Sequence, residues 1–168
     1  PGRARLVQIA LEIDEPFEDA NDAAQDLLAA GRVPELLQWV EEAPGRRAAA
    51  ALEELIVSPS AIRSVLLREP LDLPVARTLL TSLDQRATEV LLDVLRDAEG
   101  RAIRRLVYDH LREFGPKIMP QLIARLDGAP WYFVRNLLAL LRDPAATGEA
   151  SHSPAASLRS FLDHPQEQ

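Results

Sequence analysis

Cysteine is absent from the 168 residues, which excludes a disulfide framework, a thiolate metal site and a thiol nucleophile. Methionine occurs once, as Met119, and lysine once, as Lys117, so every other basic side chain is an arginine. Glycine is sparse, at seven residues, and forms no phosphate-cradling loop. No zinc-protease helix or nucleophile elbow occurs. His110, His152 and His164 are scattered along the chain and compose no zinc site. No apolar run approaches the roughly 18 residues needed to cross a bilayer. No catalytic residue, metal or cofactor is therefore expected.

One charge sign is also in short supply over part of the chain. Residues 1–60 hold twelve acids against five bases, whereas residues 61–168 hold fourteen of each. The whole net charge of −7 thus sits in the first third. Glu18, Asp22 and Asp26 stand four apart, with Asp14, Glu15 and Asp19 nearby, which predicts a solvated acidic helix face. Arg96, Arg101, Arg104, Arg105, Arg112, Lys117 and Arg125 give a basic middle, but Asp97, Glu99, Asp109 and Glu113 interrupt it. Nucleic acid, which selects a continuous basic stripe, is not an expected partner.

Alternating strand patterns are almost missing. What recurs is 10 to 14 residues of helical apolar spacing followed by a glycine- or proline-marked break. The spacing predicts ten helices, over 4–13, 17–30, 34–43, 46–57, 60–69, 74–83, 86–97, 101–114, 117–127 and 130–142. Connections this short make antiparallel pairs, five in all. The clearest internal likeness has a shift of 31 residues, which lays Leu91 on Leu122, Ile103 on Val134 and Arg104 on Arg135. A period near 30 is the mark of stacked helical hairpins.

Residues 101–141, RAIRRLVYDHLREFGPKIMPQLIARLDGAPWYFVRNLLALL, resemble bacterial HEAT-repeat proteins. The likeness lies in an aliphatic-arginine step opening the second helix of a unit, Ile103-Arg104 and Val134-Arg135. It lies also in a turn aspartate before that step, Asp97 and Asp127, and in a leucine-rich first helix. It is good over 87–142 and looser over 33–83. It implies an all-α fold, a right-handed α-α superhelix (HEAT-like solenoid) of about five hairpins, with second helices lining an inner protein-binding face. Arg104 and Arg135 are then expected to clamp the turn aspartates. Residues 1–143 form the expected repeat domain and 144–168 a tail, within which Ser153-Pro154 opens a possible docking helix, 154–163.

Aromatics are few: two tryptophans, two tyrosines and four phenylalanines. Three of them, Trp131, Tyr132 and Phe133, stand in a row. At 100° per residue, Phe133, Val134, Leu137, Leu138, Leu140 and Leu141 share a core arc, and Tyr132, Arg135 and Asn136 fall opposite. Trp131, Tyr132, Arg135 and Asn136, adjoined by Arg105, Asp109 and Arg112, are the candidate partner-binding residues. His110, on the apolar side of its helix, reads as a partly buried histidine bonded to backbone.

The expected function is a non-enzymatic protein-protein interaction scaffold or regulatory module. It is read as a fragment of a larger bacterial, cytoplasmic protein, since the chain opens Pro1-Gly2-Arg3 and its arginine and alanine content suits a GC-rich genome. The partner is another protein or another domain of the same parent chain, with no membrane involved. The alternatives are a HEAT-like enzyme or chromophore-handling, lyase-like protein, which predicts a deep pocket of converging acids, and a nucleic-acid-binding HEAT-like domain.

Overall fold

The computed structural model describes residues 2–143. The tail from 144 onward, with the expected helix 154–163, lies outside the described residues. Among the described residues there are ten α-helices and no strand, so the fold is all-α. In chain order they are α1 Arg3–Ile13, α2 Glu18–Ala29, α3 Val33–Glu42, α4 Arg47–Ile56 and α5 Pro59–Leu66. α6 Leu73–Ser82, α7 Thr88–Asp97, α8 Arg101–Glu113, α9 Met119–Ala124 and α10 Trp131–Arg142 follow.

Proline and polar caps set these boundaries. Ser58 Oγ accepts from the amide of Ala61 and Asp72 Oδ1 from that of Val75, each with a proline in the first turn, where its missing N–H costs nothing. After α2, Gly31 takes φ +82°, and the amides of Gly31 and Arg32 reach back to the carbonyls of Leu28 and Leu27, closing the helix in a Schellman turn. Two helices end three residues earlier than expected. α5 ends at Leu66 rather than 69, because a residue preceding proline, here Glu69, is disfavoured in the helical region. α9 begins only after a 3-10 turn, Gly115–Ile118, and ends at Ala124. Pro116 and Pro120 lack amide donors, so a regular start at 117 is poorly supported.

The described residues divide into two compact units, one up to Val107 and the other from Tyr108 onward, with the boundary inside α8. In the first unit, α1 touches α2, α3 touches α4 and α5 touches α6, as paired neighbours should. α2 also meets α3, α4 and α5, and α3 meets α6. The first pair thus reaches the third directly, whereas in a strict single file a pair meets only the next. The buried face of α2 explains the crowding. It carries Ala20, Ala23 and Ala24 beside Leu27 and Leu28, and alanine lets helix backbones approach closely. In the second unit α9 packs on α10 and on the 3-10 turn before it.

Polar contacts join α1 to the start of α4. Asp14, at the end of α1, adopts the left-handed conformation at φ 56° and accepts from the Ala48 amide at 3.1 Å. Its carboxylate thereby caps a helix 34 residues away. Arg46 Nη1 answers by donating to the carbonyls of Leu11 and Glu12 at the end of α1, at 2.5 and 3.1 Å. Replacing Asp14 with alanine should cost about 0.5–2 kcal/mol, the usual range for a lost N-terminal cap. Asp14→Asn should cost far less, since its oxygen still accepts and asparagine tolerates the left-handed region. Urea unfolding of the two variants checks the ordering.

Candidate functional site

α10 starts abruptly. Gly128, at φ +66°, and Pro130 turn the chain, and the Pro130 carbonyl accepts from the amides of Phe133 and Val134 at 2.9 and 3.0 Å. Proline offers no capping side chain, so the first helical residue, Trp131, meets solvent directly. Phe133 is 1% exposed and lies with Val134, Leu137, Leu140 and Leu141 in the core. Trp131 is 75% and Tyr132 51% exposed. On the helical wheel the exposed residues Trp131, Tyr132, Arg135, Ala139 and Arg142 fill one arc of about 100°. The core arc is narrower than expected, because Leu138 is only half-buried.

Ile123, 41% exposed, sits near the end of α9, and a six-residue connection leads from α9 to Trp131. The turn between α9 and α10 is therefore flanked by three large exposed apolar side chains. A tryptophan this open does not cover the turn, as a packing role would require.

The other expected site residues divide. The Arg135 side chain is exposed and makes no hydrogen bond or ion pair among the described residues, while Asn136 is half-buried. Asp109 is exposed on the second unit's part of α8, and Arg105 is exposed on the first unit's part. Arg112 is engaged in holding structure: its Nε lies 2.8 Å from Asp143 Oδ2, tying α8 to the residue that ends α10. Tyr108 lies in the same neighbourhood. Burial, then the charge of Asp143, raises its phenol above the ordinary value, with Arg112 opposing.

The expected aspartate clamp is corrected by the structure. Arg104 Nη1 donates not to Asp97 but to the carbonyls of Ala98 and Glu99, at 2.7 and 2.6 Å. Asp97 instead accepts from Arg96 Nε at 2.7 Å and from Arg63 Nη2 at 3.0 Å, which ties α7 to α5. The Arg96 bond first, and Arg63 after it, hold the Asp97 carboxyl below the ordinary carboxylate range against the opposing effect of burial. Asp127 makes no hydrogen bond or ion pair among the described residues, so Arg135 does not clamp it. A guanidinium carries several donors, and in the tight turn after α7 carbonyls are nearer than the carboxylate.

Among the described residues His110 joins no group of three or more histidines and acids. Its side chain is 12% exposed, its ring meets Phe114 edge-on at 4.9 Å, and Nδ1 stands 3.6 Å from Glu113 Oε2, beyond hydrogen-bonding distance. The acids of α2 do not converge either. Glu18, Asp19 and Asp22 are exposed, and Asp26 pairs with Arg3 at 2.8 Å. Among the described residues no group of three or more histidines and acids is placed to hold a metal, and no helix is long and apolar enough to cross a membrane. A cleft of about 490 Å³ in the first unit, beside Pro70 and Gly100, mixes Glu69 and Glu99 with Arg68 and Arg101 and is otherwise lined largely by leucine, alanine and isoleucine. Its charges balance rather than converge.

Fold and site together define an all-helical protein with an apolar, aromatic corner at the start of one helix. No family model, curated protein or solved structure matches the chain.

Proposed function

We propose that this chain is a HEAT-like helical-repeat module, a non-enzymatic scaffold or regulatory piece. It binds another protein, or another domain of its parent chain, through the exposed start of α10. The observation that carries this is the contrast within three consecutive aromatics: Phe133 at 1% exposure against Trp131 at 75% and Tyr132 at 51%. Leaving two large aromatic surfaces in water forgoes roughly 2 kcal/mol each that burial would return. A partner can recover that stabilisation. Tryptophan, tyrosine and arginine are also the side chains that dominate binding hot spots.

Support for the helical-repeat part comes from the paired helices, from the contacts of α2 with α4 and of α5 with α7, and from the 31-residue internal likeness. The contact of α3 with α6 also joins successive pairs, whereas that of α2 with α5 departs from a strict file. A surface carried by a formed helix loses little ordering entropy on binding.

The test compares the natural chain with a Tyr132→Ala, Arg135→Ala double variant as baits in a native lysate, then in titrations with the captured protein. The variant should bind at least about tenfold more weakly, while its melting temperature stays within about 2 °C of the natural chain's. Equal affinity, or a large loss of stability, would reject the reading.

A further inference from the structure

A cleft of about 460 Å³ opens in the first unit where α1 and α3 end. Leu11 and Glu12 of α1, Trp39 and Glu42 of α3, and Ala43 and Arg46 from the connection to α4 line it. The charges here are unevenly satisfied. Arg46, the one basic residue of the lining, is drawn to the Leu11 and Glu12 carbonyls. Glu12 is held by Arg5, with contacts of 2.6 and 3.2 Å. Among the described residues Glu42 receives only the neutral amide of Gln38, at 2.7 Å on Oε1, and no cation offsets its negative charge.

Three further features favour a cation. α3 carries no basic residue in its last turn, so the partial negative charge of its C-terminal end is directed toward this cleft, whereas Arg46 already offsets that of α1. The indole of Trp39, only half-buried, forms a wall, and aromatic faces attract cations. The surrounding first sixty residues also hold all of the net charge of −7, which concentrates cations near this surface.

The geometry points to a binding site for an arginine side chain of a basic peptide or protein partner, its guanidinium stacked on Trp39 and hydrogen-bonded to Glu42. The aliphatic stem lies along Leu11 and Ala43. Arginine suits the cleft better than lysine, because a planar fork can stack on the ring and bond a carboxylate at once. The site shares no residue with the α10 surface, and the inference does not rest on that surface.

Trp39 and Trp131 are the only tryptophans, so a Trp131→Phe background isolates the cleft's fluorescence and removes the α10 anchor together. In that background an acetylated Gly-Arg-Gly-Arg-Gly amide should change Trp39 emission saturably, with a dissociation constant below about 1 mM. Glu42→Gln should weaken binding about tenfold. Trp39→Leu, followed by anisotropy of the labelled peptide, should do the same. The lysine peptide should bind several-fold more weakly, and the neutral citrulline peptide should give no response. Absence of saturable binding, equal binding of the citrulline or lysine peptide, or unchanged affinity in Glu42→Gln would overturn the assignment. Glu42 is exposed, so that variant decides the matter even where Trp39→Leu fails to fold.

Discussion

Phe133→Ala should destabilise the second unit by about 3–5 kcal/mol, the cost of removing a large ring from a closed core. The ring is 1% exposed and packs on the arc shared with Val134, Leu137, Leu140 and Leu141. A loss of that size is comparable with the whole stability of a small folded unit. Trp131→Ala, two positions earlier, should stay within about 0.5 kcal/mol of the natural chain, because most of its side chain remains in water. Tyr132→Ala should cost far less than Phe133→Ala, because half of its surface does. Urea unfolding of the three variants, followed by helical circular dichroism, gives the comparison. A mild Phe133→Ala, or a severe Trp131→Ala, would mean that the core and solvent faces of α10 are exchanged, and the binding surface would go with them.

The helices were legible because their signals are local. Proline after a cap, glycine in a left-handed turn and apolar spacing all lie within a few residues of the boundary they set, as at Ser58-Pro59 and Gly31. The division of labour among Trp131, Tyr132 and Phe133 was legible for the same reason, since a helical period alone separates the faces. Contacts that depend on which elements meet were not. Asp14 gives no local sign that it caps α4, nor Arg112 that it reaches Asp143, because each contact spans some thirty residues. Arg104 shows a different limit. The sequence offered an aspartate at a plausible spacing, but the guanidinium took turn carbonyls, which carry no sequence signature. The role of α2 was hidden in its alanines, whose small size reports permission for close approach and not the identity of the neighbour.

α7 makes the strongest demand on the first unit, and Leu92 is the residue that tests it. Thr88, Val90, Leu91, Leu92, Val94 and Leu95 are all buried, an arc of about 200° on a helical wheel. A helix of a simple repeat needs only the narrower stripe of Leu91, Val94 and Leu95. Leu92 and Thr88, one turn apart, add a second buried face, on which the Thr88 hydroxyl is satisfied by donating to the Gln85 carbonyl at 2.6 Å. Leu91 and Leu92 are both 0% exposed although they point about 100° apart. Leu92→Ala should therefore cost about 2–5 kcal/mol, as much as Leu91→Ala. Chemical unfolding followed through Trp39 fluorescence in the Trp131→Phe background measures both. A cost for Leu92→Ala within about 0.5 kcal/mol would place its side chain at the surface and reduce α7 to a one-faced repeat helix. A full cost means that α7 is enclosed from two sides, so single substitutions on either face should unfold the helices around it.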